Sequence, residues 1–204
     1  MKDIKNIIFD FGGVFLEINY HLSRKAFEQL GVADFDEMYS QANADRLFQN
    51  LETGHISPEE FYVQFNRTTR LELPDAEIDK AWNAMLLHYR VSSVDFLETL
   101  KPRYKLYLFS NTNYIHMKAF RELFNKTHPG KNFDDYFDKA YYSCAMGLRK
   151  PDLESFEFII NELKIDPKET LFVDDSPQNI EAAESAGLKT IYLKPGMVVE
   201  DLDL

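Results

Sequence analysis

The sequence predicts an α/β protein whose parallel sheet is interrupted, after its first strand, by an inserted helical segment. Three observations carry that expectation. A short isoleucine-rich run at residues 4–9 reads as a buried strand, and Gly12-Gly13 closes it with a tight loop. Residues 21–88 then switch to apolar residues at helical spacing. From residue 93 onward, helix-like and strand-like segments alternate, the pattern of a parallel sheet covered on both faces. The expected organisation is a Rossmann-like parallel-sheet core at 1–16 and 91–204, with an all-helical cap domain inserted at 17–90.

In the insert, the pairs Phe27/Leu30, Met38/Ala42 and Leu47/Leu51 keep one apolar face. Ser57-Pro58-Glu59-Glu60 is a helix start: a serine N-cap, proline at the first helical position, and a glutamate three residues on. Pro74-Asp75 opens a further helical segment that reaches about Tyr89, so about four helices are expected. In the second half, helices are expected at 93–100, 115–124, 153–163 and 178–186. Strands are expected at 104–109, 139–143, 170–173 and 189–193, each short and apolar.

Composition narrows the function. The chain has 204 residues, 45% of them apolar, and 23 basic against 34 acidic side chains leave a formal charge of −11. Such a balance opposes binding to nucleic acid, whose phosphate backbone needs a basic surface; a local pocket for a small phosphate stays open. The single cysteine, Cys144, allows no internal disulfide and fits a reducing cytosol, so a cytoplasmic location is expected. No stretch approaches the ~20 apolar residues of a membrane span.

In open parallel sheets, ligands sit beyond the carboxyl ends of the strands. Those ends are Asp10, Ser110-Asn111 and Asp174-Asp175, and Lys150 lies on the loop before the helix that follows Pro151. Three acids, a hydroxyl, an amide and a lysine therefore gather on one rim. Clustered carboxylates repel unless a cation joins them, and an all-oxygen set favours a hard divalent ion such as Mg²⁺. A carboxylate beside that ion can attack phosphorus. Ser110, Asn111 and Lys150 are candidate donors to the phosphoryl oxygens. Each signal has a plainer counterpart: aspartates and serines after strands also cap helices, and a lysine before proline is often a solvated loop residue. The five histidines, His21, His55, His88, His116 and His128, show no metal-site spacing. They read as surface or packing residues, as do Trp82 and the passive Cys144, and the acidic tail at 200–204 reads as a solvated end.

FDFGGV at 9–14, LFSNT at 108–112, RKPD at 149–152 and VDDSPQNI at 173–180 resemble the four signature motifs of the haloacid dehalogenase superfamily, in the right order and strand context. The inserted helices resemble that superfamily's first type of cap. The resemblance implies a phosphatase in which Asp10 is nucleophile and metal ligand. Gly12 offers its backbone carbonyl to Mg²⁺, and Asp174 is the principal acidic ligand. Asp175 either binds through water or orients its neighbours. Ser110 and Asn111 hold phosphate, Lys150 neutralises Asp10 and the phosphoryl group, and Asn179 supports the loop. The expected partner is a small phosphorylated metabolite, a sugar phosphate by analogy, selected by the cap turn at 49–55.

One position departs from the usual phosphatase motif. Two residues after the nucleophile stands Gly12 rather than the aspartate that protonates the leaving group. The variant resembles a subgroup that includes glucose-1-phosphatase-like members. A cap residue or an ordered water is then the acid/base, with Glu17 and His21 as candidates. Three alternatives compete: a haloacid dehalogenase, for whose carboxylate substrate the extra acids bring nothing; a phosphomutase, which needs the missing acid/base; and a non-hydrolysing module that binds a phosphorylated ligand.

Overall fold

The computed structural model describes residues 3–32, 35 and 47–204. Five parallel strands form the main sheet: β1 (Asn6–Phe9), β4 (Lys105–Ser110), β5 (Lys139–Tyr142), β6 (Thr170–Asp174) and β7 (Lys189–Tyr192), in the order β5-β4-β1-β6-β7. The chain runs outward from β1 through β4 to β5, then crosses back to β6 and β7. The order thus reverses beside β1, where open α/β sheets bind ligands.

The alternation of side chains across each strand explains why two apolar clusters flank the sheet. Ile7, Phe9, Leu106, Leu108, Leu171 and Val173 enter one cluster. Ile8, Tyr107, Phe109 and Phe172 enter the other, where Phe156 and Ile159 of a covering helix meet them. Both faces being buried, the strands read as nearly continuous apolar runs.

The described part of the insert holds α1 (Tyr20–Gln29), α2 (Leu47–Glu52), α3 (Pro58–Thr69) and α4 (Asp75–Asn83). The expected cap of α3 is present: Glu60 N–H donates to Ser57 Oγ at 3.2 Å, and Ser57 N–H donates to the Glu60 carboxylate at 2.8 Å. These helices bury their own cluster, in which Phe27 stacks on Phe35 at 4.6 Å and Phe48 meets Trp82 at 4.9 Å. Met38 and Ala42 lie outside the described residues.

Two expectations change. The segment opened by Pro74-Asp75 does not continue as helix to Tyr89. It stops at Asn83, and β3 (Leu86–Tyr89) pairs antiparallel with β2 (Leu16–Ile18), so a two-stranded ribbon joins insert and sheet. Leu86, Leu87 and Tyr89 suit a pleated half-buried surface as well as a helix end, which is why periodicity alone cannot separate the two. The acidic tail is not a free solvated end: Glu200 accepts from Ser93 Oγ at 2.6 Å and from Ser92 Oγ, at the start of α5 (Val91–Leu100). Val199 is buried, and Leu202 and Leu204 pack against the sheet cluster.

After β4 comes α6 (Tyr114–Thr127), capped by Asn113 Oδ1, which accepts from His116 N–H at 3.0 Å. A short α7 (Ser143–Met146) follows β5, α8 (Leu153–Leu163) precedes β6, and α9 (Pro177–Ser185) links β6 to β7. Among the described residues no helix is long and apolar enough to cross a membrane.

Candidate active site

Sheet register brings the acids together. Phe9 pairs with Val173 on one side and Leu108 on the other, and Asp10 N–H donates to the Val173 carbonyl at 2.9 Å. Asp10, the first residue past β1, and Asp174, the last of β6, therefore lie side by side, with Ser110 closing the neighbouring β4. Lys150 reaches them from the loop before α8. Its Nζ donates to Asp10 Oδ1 at 2.6 Å and to Asp174 Oδ2 at 2.8 Å, with the lysine side chain 1% exposed. Its ammonium also lies over aromatic rings, 5.1 Å from the centre of Phe109 and 5.4 Å from that of Phe172.

Electrostatics follow from that burial. Desolvation pushes the Asp10 carboxyl up to about 7; Lys150 opposes it and Asp174 adds repulsion. Desolvation also works against the Lys150 ammonium, but Asp10 and Asp174 outweigh it and hold the lysine above its ordinary range. Asp175 is raised too, first by burial and then by Asp174. One lysine does not neutralise three acids.

Each neighbour has a defined task in this geometry. Asn111 Nδ2 donates to the Lys150 carbonyl at 2.8 Å, and its Oδ1 accepts from Lys150 N–H at 2.9 Å, so its side chain clamps the lysine loop. Asp174 Oδ1 accepts from Ser176 N–H at 2.7 Å, and Asn179 Nδ2 donates to both Asp174 oxygens at 3.0 and 3.1 Å. Asn179 thus supports the loop from α9, as expected. Ser110 is buried at the strand end. Gly13 has φ of +76°, and a Cβ there would lie 1.9 Å from Asp175 Oδ2, so only glycine lets that carboxylate approach. At Gly12 a Cβ would meet Ile18 Cδ1 at 2.5 Å: ribbon residue Ile18 fills the place of a side chain at this position.

The oxygens of Asp10, Asp174 and Asp175 come within 4.8 Å of one another. An all-oxygen donor set with excess negative charge fits a hard divalent cation with room for water and phosphate, which is the chemistry of Mg²⁺.

Asp10, Asp175 and Lys150 line a cavity of about 490 Å³ between sheet and insert, together with Gly12, Ser110 and Asn111, while Asp174 is fully buried behind them. That volume suits a small-molecule site. The same cavity is lined by Tyr20, Glu52, Trp82, His116 and Arg149, whose place there sequence reasoning missed. Arg149 carried a signal, standing beside Lys150; Glu52 lay within the turn expected to face the sheet. His116 and Trp82 carried none, since an aromatic on a helix face reads as packing. His116 does pack, stacking on Trp82 at 4.8 Å with Nδ1 2.8 Å from Asn83 Oδ1. Neither Glu17 nor His21 lines this cavity. Glu17 is held by Arg90, whose Nε donates at 2.9 Å, and His21 is exposed beside Arg24. Cys144 is buried, and desolvation pushes its thiol up to about 11, as a passive residue requires.

Residues 4–187 match the family model described as haloacid dehalogenase-like hydrolase. The chain is 37% identical over 194 residues to a D-ribitol-5-phosphate phosphatase of Bacteroides thetaiotaomicron, covering 95% of this chain and 93% of that protein. It is 28% identical over 193 residues to the sesquiterpene phosphatase astK of Aspergillus oryzae, covering 93% and 89%. A haloacid dehalogenase family enzyme of Bacteroides thetaiotaomicron, solved in complex with magnesium and inorganic phosphate, superposes with a TM-score of 0.90 at 33% identity over 98% of this chain and all of that one. With the sheet order, the acids at the strand ends and the bridging lysine, this places the chain in the haloacid dehalogenase-like hydrolase family.

Proposed function

We propose that the protein is a Mg²⁺-dependent phosphatase that hydrolyses a small sugar or polyol phosphate through an aspartyl phosphate on Asp10. The observation that carries this reading is the Lys150 ammonium bridging Asp10 and Asp174 beside Asp175, at the floor of a cavity sized for a metabolite. The relative at 37% identity, a D-ribitol-5-phosphate phosphatase, supports the substrate class. Residues 1–16 and 91–204 act as the catalytic core in this reading, and 17–90 as the cap that covers it. The single cysteine and the acidic balance favour a cytoplasmic enzyme.

Asp10, Asp174, Asp175 and the Gly12 carbonyl would hold Mg²⁺. The bound ion supplies charge neutralisation between the carboxylate nucleophile and the substrate's phosphate. Asp10 attacks phosphorus; a P–O bond to aspartate forms as the P–O bond to the alcohol breaks. Lys150 favours the ionised form of Asp10 against its burial and donates to the phosphoryl group as charge spreads over its oxygens, with Ser110 as a further donor. Asn111 holds Lys150 in place through its backbone. Water then attacks phosphorus, breaking the aspartyl bond and releasing inorganic phosphate and a proton. Because residue 12 has no side chain, the leaving alcohol takes its proton from water or from a cap group facing the cavity.

Phosphate release from a panel of phosphomonoesters tests this directly. Release that requires Mg²⁺ and stops with chelator is expected, with polyol and sugar phosphates preferred. A folded, Mg²⁺-binding protein that releases phosphate from none of them would leave only the non-hydrolysing alternative.

A further inference from the structure

The cavity contains a charged pair that the chemistry at Asp10 does not use. Helix α2 ends at Glu52, and Glu52 Oε2 lies 3.3 Å from Arg149 Nη2, each side chain only 17% exposed. The pair spans the two halves of the molecule: Glu52 comes from the insert, while Arg149 precedes Lys150 in the chain. Both line the cavity that holds Asp10.

The pair is under-bonded for its burial. Arg149 Nε is buried without a partner. Among the described residues, Glu52 makes this ion pair and no other polar contact, and the pair is longer than the roughly 2.7–2.9 Å of a charge-assisted hydrogen bond. Burial raises the Glu52 carboxyl, and Arg149 only partly offsets it. A buried ion pair recovers its desolvation cost only when further hydrogen bonds fill the remaining lone pairs and N–H groups. Both side chains line the cavity that holds Asp10, one donating and the other accepting, which is the complement of a hydroxyl.

The turn that carries Glu52 is fixed. Thr53 Oγ1 donates to the Gln49 carbonyl at 2.8 Å. Gly54 has φ of +66° and lies so close to α7 that a Cβ would come within 2.1 Å of the Cys144 carbonyl. Glu52 is thus held on a seated element rather than a swinging loop, as selective recognition needs. Trp82 and Met85 line other parts of the same cavity and give the carbon chain an apolar surface.

We propose that Glu52 and Arg149 form a hydroxyl-reading subsite for the alcohol half of the substrate, selecting polyol and sugar phosphates over phosphates of apolar alcohols. This rests on the phosphatase reading above for its ligand class, but its test does not need turnover. Calorimetric titration of the Asp10→Asn protein with D-ribitol 5-phosphate, inorganic phosphate and a prenyl monophosphate, in Mg²⁺, reads the subsite by itself. Adding Glu52→Gln should weaken ribitol phosphate binding on the order of 10²-fold, because buried polar groups are left unpaired, while inorganic phosphate shifts by less than about 3-fold. The prenyl phosphate should bind no worse, so selectivity collapses. Arg149→Lys, which keeps the charge and loses the planar fork of guanidinium donors, should act in the same direction. Equal weakening of all three ligands would make the pair a structural strap between insert and sheet and overturn the proposal, as would unchanged ribitol phosphate binding. Failure of the phosphatase reading would appear separately, as absent phosphate release from the wild-type protein.

Discussion

Lys150 is the residue on which the charge balance of the site turns. Among the described residues its ammonium is the one cation touching both Asp10 and Asp174, and all three are largely withdrawn from water. Removing one partner of a buried charged set is worse than never having built it, because the remaining charges stay buried without compensation. Lys150→Ala should therefore cost about 3–5 kcal/mol in metal-free protein, read by urea unfolding, and Mg²⁺ should restore part of it. A loss within experimental error would mean that the acids are not held apart by this lysine. Asp174→Asn should abolish the rise in thermal midpoint that Mg²⁺ gives the wild type through binding to the native state. Asp10, Ser110, Asn111, Asp174 and Asp175 were legible in the sequence because each stands at or beside the carboxyl end of a readable strand, and Lys150 because it stands on the loop before a readable helix. That Asn111 spends its side chain on the backbone of Lys150 was not legible, since an amide's partner depends on a loop folded from 39 residues away. Arg149 and Glu52 escaped for a similar reason: their meeting exists only once insert and sheet are packed.

At the scale of elements, the turn after α2 decides how the insert sits on the sheet. Gly54 combines a left-handed backbone with contact against the α7 carbonyl, and a flexible side chain cannot yield there because the obstacle is main chain. Gly54→Val should lower stability by about 1–3 kcal/mol and weaken polyol phosphate binding by moving Glu52. If the variant keeps wild-type stability, the turn is not seated as described. The capping box of α3 is a milder case, and Ser57→Ala should cost about 1 kcal/mol. The cap was readable from four consecutive residues, because its hydrogen bonds are local. The ribbon of β2 and β3 was not, because its pairing joins residues some seventy apart and its short apolar runs fit helix or strand equally.

At the scale of the whole molecule, the helices α1–α4 pack beside the sheet over a cavity, and His116 lies at that contact. It belongs to α6 beside the sheet, stacks on Trp82 of the insert's α4 and hydrogen-bonds Asn83. Burial pushes its imidazole down to about 3, below the value of about 6.5 it has when unfolded. Between those limits the unfolded chain binds the proton and the native protein does not. His116 thus leaves stability intact above about pH 6.5 and erodes it as pH falls through the window, by up to about 1.4 kcal/mol per pH unit. His116→Gln should flatten the dependence of the urea midpoint on pH between 6.5 and 4.5; an unchanged slope would show that another group governs it. The parallel sheet was legible because buried strands announce themselves as apolar runs between helices, whereas its strand order emerges only from the pairing of strands far apart in the chain. The closure of the insert over the sheet is a packing outcome of many side chains, and no local pattern encodes it.

The nucleophilic role of Asp10 is tested most directly by following the phosphoryl group itself. The protein is quenched in acid while turning over its best phosphomonoester in Mg²⁺, digested and analysed by mass spectrometry, alongside phosphate release by Asp10→Asn. The expected result is a phosphoryl group on the peptide carrying Asp10, and a fall in release on the order of 10⁴-fold or more in the variant. An unmodified Asp10 peptide together with undiminished release by Asp10→Asn would contradict the aspartyl-phosphate mechanism.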